Sequence, residues 1–176
     1  CEGPDGVLAG LAPDAIVVDM GTTGPKGVGR LASRVADAGG VLVDVPVSGS
    51  TAAAEGGTLT ILVGAPDATF PRVAPVLAAM GEPVLRLGDT GAGSVMKLAV
   101  NNIIYALGNA LSESLVLAER AGLDRHVAYE VFERSAVAAP MVRYRHDAFL
   151  DPDHTPAAFA MHLARKDLEL ITGLAS

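Results

Sequence analysis

The sequence predicts an α/β layer with a largely parallel sheet, joined near residue 90 to an all-α half. Three observations carry that expectation. Short β-rich runs alternate with helix signals through the first half, the order produced by strands linked through crossover helices. The texture changes at GDTGAG, Gly88 to Gly93, after which only helix patterns follow. Half of the 176 residues are apolar and 19% are charged, enough to build a core. The corresponding ranges are 1–90 and 91–176.

The elements follow in order. AIVVDM, Ala15 to Met20, reads as a strand closed by GTTGP. There Thr22 or Thr23 is placed to cap a helix and Pro25 suits its first turn. A helix is expected from about Lys26 to Ala38, ended by Gly39-Gly40. VLVDVPV, Val41 to Val47, is the next strand, and SGSTAAAEGG reads as a polar loop of small residues. TLTILVG, Thr58 to Gly64, is a third strand. PDATFPRVAPVLAAM is a helix with a proline-rich start, and PVLRLG, Pro83 to Gly88, a fourth strand.

Beyond residue 90 one helix is expected from about Ser94 to Ala121, with Gly122 as its C-cap. Such a helix is a rod of roughly 42 Å, longer than one small domain needs. DRHVAYEVFERS and AAPMVRYRHDAFL read as shorter helices, DPDHTP as a turn, and AAFAMHLARKDLELITGLA as a last helix. No G-x-G-x-x-G turn precedes AIVVDM, and the sequence opens and closes in mid-pattern, so a longer protein is expected.

Composition excludes several classes. A net charge of −7 argues against a nucleic-acid partner, which requires a basic stripe. The single cysteine, Cys1, rules out a disulfide framework or a CxxC motif, and four scattered histidines lack ligand spacing, so no metal is expected. The most apolar window, Val95 to Ala118, carries Lys97, Asn101, Asn102, Asn109, Ser112, Glu113 and Ser114, which is not a membrane span. Aromatics are only 4%, so packing is expected to rest on Ala, Val, Leu and Ile. A cytoplasmic protein is the expectation.

The chemistry is sought where polar groups interrupt apolar patterns. Lys97 and Asn101 lie four apart on the long helix, so their side chains leave one face. The helix dipole and partial burial both disfavour a charged lysine there, which suits proton exchange with a hydroxyl. The same spacing also suits a lysine snorkelling to water beside asparagines in a wet groove. Ser48, Gly49 and Ser50 follow a strand, where amides and hydroxyls can hold a carboxylate, although Gly and Ser mark ordinary loops as well. Thr22 stands at a strand's carboxyl end, a place for a nucleotide or for a helix cap. Lys166 and Asp167 suit an exposed ion pair on an amphipathic helix.

In this order, VVDMGTTGP, DVPVSGSTAAAEGGTLTILVG, GAGSVMKLAVNNIIYALGNALSESLVLAERAGLD and ARKDL resemble the β-hydroxyacid dehydrogenase family, within the wider 6-phosphogluconate dehydrogenase superfamily. The resemblance covers essentially the whole chain. It implies a Rossmann-type domain whose N-terminal part lies before Cys1, a long inter-domain helix, and an all-α domain whose last helices lie beyond Ser176. It implies NAD or NADP as cofactor, a small carboxylate substrate, and a homodimer or homotetramer. By motif, Lys97 resembles the catalytic lysine and Asn101 the substrate-orienting asparagine. Ser48 and Gly49 resemble the carboxylate-binding turn, with Ser50 where a second glycine is usual. Thr22 resembles the nicotinamide-side threonine, although Gly21 replaces a serine, and Lys166 resembles the lysine that closes over the cofactor. Imine reductases usually lack the lysine, and Ile104 replaces the glutamate of 6-phosphogluconate dehydrogenases, which disfavours both. A succinic semialdehyde-type reductase and a non-catalytic dimerisation module are the remaining alternatives.

Overall fold

The computed structural model describes residues 1–175, which form two compact units: Cys1–Val100 with the chain from Leu170, and Asn101–Glu169. In the first unit a short 3-10 turn, Val7–Gly10, precedes β1 (Ile16–Asp19), α1 (Pro25–Asp37), β2 (Val41–Asp44) and β3 (Val47–Ser48). Then come α2 (Thr51–Glu55), β4 (Thr60–Gly64), α3 (Phe70–Leu77), β5 (Val84–Gly88) and the start of α4 (Ala92–Arg120).

The sheet is largely parallel, β1 pairing with β2 and β4 with β5, with antiparallel pairing where β4 meets β2 and β3. The cause lies in VLVDVPV, which is two strands and not one. Pro46 lacks the N–H a continuous ladder needs, and the chain changes partner there: Val41 to Asp44 run along β1, while Val47 and Ser48 face Ile61 and Thr60.

Both faces of β2 are covered, which explains its nearly unbroken apolar run. Leu42 joins Val28 and Val35 of α1 on one face. Its neighbour Val43 joins Ile61 and Val63 of β4 with Val73 and Leu77 of α3 on the other. Alternate side chains of a strand point to opposite faces, so one strand serves two clusters.

The second unit holds the rest of α4, then α5 (Arg125–Arg134), α6 (Pro140–Tyr144), α7 (His146–Leu150) and most of α8 (Met161–Ala175). Its core does not rest on aliphatic residues alone. Tyr129 is fully buried between Leu111, Leu115 and Val142, with Phe132, His146 and Phe149 ring to ring around it. Three of the seven aromatic residues, Tyr129, Phe132 and Phe149, gather at this core. Among the described residues no helix is long and apolar enough to cross a membrane.

Candidate functional site

The head of α4 is fixed by one carboxylate. Asp44, at the carboxyl end of β2 and only 1% exposed, accepts the amide hydrogens of Gly91 at 2.5 Å and Ser94 at 2.6 Å. A negative charge on the open amides of a helix start satisfies donors that the helix itself cannot. Thr90 adds a hydroxyl hydrogen bond to the Leu42 carbonyl at 2.9 Å. The small residues before the helix serve backbone approach: a Cβ on Gly93 would lie 2.6 Å from the Leu62 carbonyl oxygen. Lys97 is half-buried one turn further on.

Asp19 and Asp44 are register partners at the carboxyl ends of β1 and β2, so the Thr22 loop begins from the residue paired with the carboxylate that holds the α4 head. Asp19 shapes that loop by accepting from the Gly21 amide and the Thr23 hydroxyl, each at 2.9 Å. Neither threonine caps α1. The N-cap is Gly24 at φ +80°, with Pro25 next, and a side chain at residue 24 would strike Leu170. The capping explanation for Thr22 is thereby removed.

Ser48 ends β3, and Gly49 takes φ +150°, where a Cβ would meet Ala53 and Leu59 at 2.9 Å each. Ser50 begins a helix where a loop was expected: its Oγ accepts the Ala53 amide hydrogen at 3.3 Å and caps α2. The turn is thus built and not loose, with its serine at residue 50 serving the fold.

In the second unit Asn101, 7% exposed, donates from Nδ2 to Asp167 Oδ2 at 2.8 Å. Tyr105, one turn along, donates its hydroxyl to the same oxygen at 2.7 Å. Lys166 Nζ lies 2.9 Å from Asp167 Oδ1. The expected exposed pair is therefore wrong for Asp167, which is 3% exposed, while Lys166 stays open to solvent. Burial first, then the hydrogen bond to Asp167 and its charge, raise the Tyr105 hydroxyl above its usual pKa. It remains a donor throughout the neutral range.

Two residues in these contacts were not singled out from the sequence, Asp44 and Tyr105, and Asp167 was expected only as the exposed partner of Lys166. A charge inside VLVDVPV and the i,i+4 spacing of Asn101 and Tyr105 were signals for the first two. Nothing in ARKDL separates a buried aspartate from an exposed one. A groove of about 650 Å³ in the second unit is lined by Asn102, Tyr105, Arg145, Phe159 and Leu168 among others. None of the candidate site residues Thr22, Ser48, Gly49, Ser50, Lys97, Asn101 and Lys166 lines it. No group of three or more metal-ligating side chains stands together among the described residues.

Comparison with known proteins fixes the class. Residues 1–91 match the family described as the NAD binding domain of 6-phosphogluconate dehydrogenase. Residues 91–176 match the NAD-binding domain of NADP-dependent 3-hydroxyisobutyrate dehydrogenase. The chain belongs to the β-hydroxyacid dehydrogenase family. It is 38% identical over 170 residues to 2-(hydroxymethyl)glutarate dehydrogenase of Eubacterium barkeri, covering 96% of this chain and 56% of that protein. It is 38% identical over 134 residues to 3-hydroxyisobutyrate dehydrogenase of Pseudomonas aeruginosa, covering 76% of this chain and 45% of that one. The crystal structure of 3-hydroxyisobutyrate dehydrogenase from Salmonella typhimurium superposes with a TM-score of 0.88 at 31% identity, covering 97% of this chain and 60% of that chain. The chain thus spans about half the length of the curated relatives it matches.

Proposed function

We propose that the full-length protein is an NAD(P)-dependent dehydrogenase that interconverts a small 3-hydroxy acid and its semialdehyde or 3-oxo acid. The observation that carries this reading is α4, a continuous helix whose head is fixed at the carboxyl end of β2. It holds Lys97 and Asn101 one turn apart.

In this reading Lys97 accepts the proton of the substrate hydroxyl during oxidation and returns it during reduction. Asn101 orients that hydroxyl, and the Ser48–Gly49–Ser50 turn holds the carboxylate. Thr22 and Lys166 would hold the cofactor. What supports Thr22 in that role is its half-buried place just past the carboxyl end of β1, where open α/β sheets take ligands. When bound, the nicotinamide supplies or accepts the hydride. Residues 1–90 serve the dinucleotide and 91–176 the substrate and assembly into a homodimer or homotetramer, in the cytoplasm.

Lys97→Ala in the full-length protein tests the proton role. A loss of roughly 10³ in kcat is expected, within the usual range for removing a general acid–base, with cofactor affinity nearly unchanged. Wild-type kcat in that variant refutes the assignment. Turnover of cyclic imines or succinic semialdehyde in preference to 3-hydroxy acids moves the protein to a related reductase. Absence of turnover with any of them supports a non-catalytic module.

A further inference from the structure

The carboxylate of Asp167 is a buried polar group on which three side chains converge. It is 3% exposed, a costly location for a charge unless its oxygens are well matched. Oδ2 accepts from Asn101 at 2.8 Å and from Tyr105 at 2.7 Å, and Oδ1 faces Lys166 Nζ at 2.9 Å. Two donors converge on Oδ2, while Oδ1 makes no hydrogen bond among the described residues and has the Lys166 ammonium beside it; the paired donors restrict the carboxylate's rotation.

This fixes its neighbour. A side-chain amide has a donor pole and an acceptor pole, and rotation by half a turn exchanges them. Left alone, Asn101 would sample both orientations at similar energy. Beside the Asp167 carboxylate it cannot, because the reversed amide would set its oxygen against Oδ2, which already accepts from Tyr105. Tyr105 reinforces the choice, since its hydroxyl keeps its proton and remains a donor to that same oxygen.

We propose that Asp167 is a positioning residue that locks the Asn101 amide with its nitrogen toward the protein interior, leaving the amide oxygen and the second N–H for the substrate. The inference rests on the role given to Asn101 above. It extends that role to a residue that need not touch substrate or cofactor. A hydroxyl meeting a fixed acceptor is aligned before its proton leaves, and such alignment contributes to kcat more than to affinity.

The test is a double-mutant cycle in the full-length protein with Asp167→Asn, Asn101→Ala and both together. Asn at residue 167 keeps the volume but has its own two poles, so Asn101 is no longer forced one way. Asp167→Asn is expected to lower kcat roughly tenfold, the difference between a charge-assisted and a neutral hydrogen bond. Cofactor affinity should hold within about twofold, and in the Asn101→Ala background the same change should cost less than about twofold, because coupled groups are not additive. Equal losses in both backgrounds mean that Asp167 acts elsewhere, through Lys166 or the fold, and overturn the inference while leaving the functional reading intact. An inactive wild-type enzyme overturns both. A second measurement needs no variant: the Asn101 side-chain amide should exchange with solvent at least about tenfold more slowly than that of exposed Asn102. Equal exchange rates overturn the lock even if Asp167→Asn yields no folded protein.

Discussion

Tyr129 shows what burial does to a single hydroxyl. Its side chain is 0% exposed and its Oη donates to the Val142 carbonyl at 2.7 Å. Burial, with a smaller contribution from Glu133, pushes its pKa from 10.0 up to about 12. In the unfolded chain the phenol ionises near its ordinary value, so between pH 10 and 12 the unfolded state loses a proton that the folded state keeps. Stability is therefore unaffected by this group below pH 10 and falls as pH rises through that window. Tyr105 acts in the same direction. Urea midpoints measured across the window should decline. Tyr129→Phe should decline less steeply from a baseline about 1 kcal/mol lower, through loss of the hydrogen bond; an unchanged slope contradicts the assignment. At this scale the sequence marked Lys97 and Asn101 because polar groups in an apolar helix stand out. It did not mark Tyr105, since a tyrosine in an apolar pattern reads as packing, and it placed Asp167 on the surface, since an aspartate beside a lysine reads as exposed.

Elements were legible where one periodicity ran uninterrupted. The long helix expected over about 94–121 is found as Ala92–Arg120, and Val84–Gly88 lies inside its expected strand. Elements failed where a local hydrogen bond overrode the pattern. Ser50 turned an expected loop into α2, and Pro46 split one strand into two with different partners. The joint between β2 and α4 is the best test of element packing. A methyl at residue 93 would lie 2.6 Å from the Leu62 oxygen and 2.7 Å from the Asp44 carbonyl oxygen, both backbone atoms with little room to yield. Gly93→Ala should cost about 1–3 kcal/mol, the range for overpacking a close contact, read as a lower urea midpoint at constant slope. An unaltered midpoint would show that the helix start can shift away from the sheet.

Across the whole chain, the change from alternating strands and helices to helices alone was visible in the sequence. The antiparallel pairing at β4 was not, because strand direction depends on partners and not on composition. The aromatic core around Tyr129 was also hidden, since an average of 4% says nothing about where the rings gather. For the full-length protein, reduced nicotinamide fluorescence should change on titration and saturate, and should do so equally in the Lys97→Ala variant. A flat titration removes the dinucleotide from the proposal. Asp44 also bears on where substrate charge can be placed. The exposed amides at the start of a long helix ordinarily attract phosphate or carboxylate groups, but here Gly91 and Ser94 already serve Asp44 and Ala92 serves the Asp89 carbonyl. The anion-seeking end of the longest helix is occupied by the protein's own side chain, so an acidic ligand must find its counter-charge and donors elsewhere.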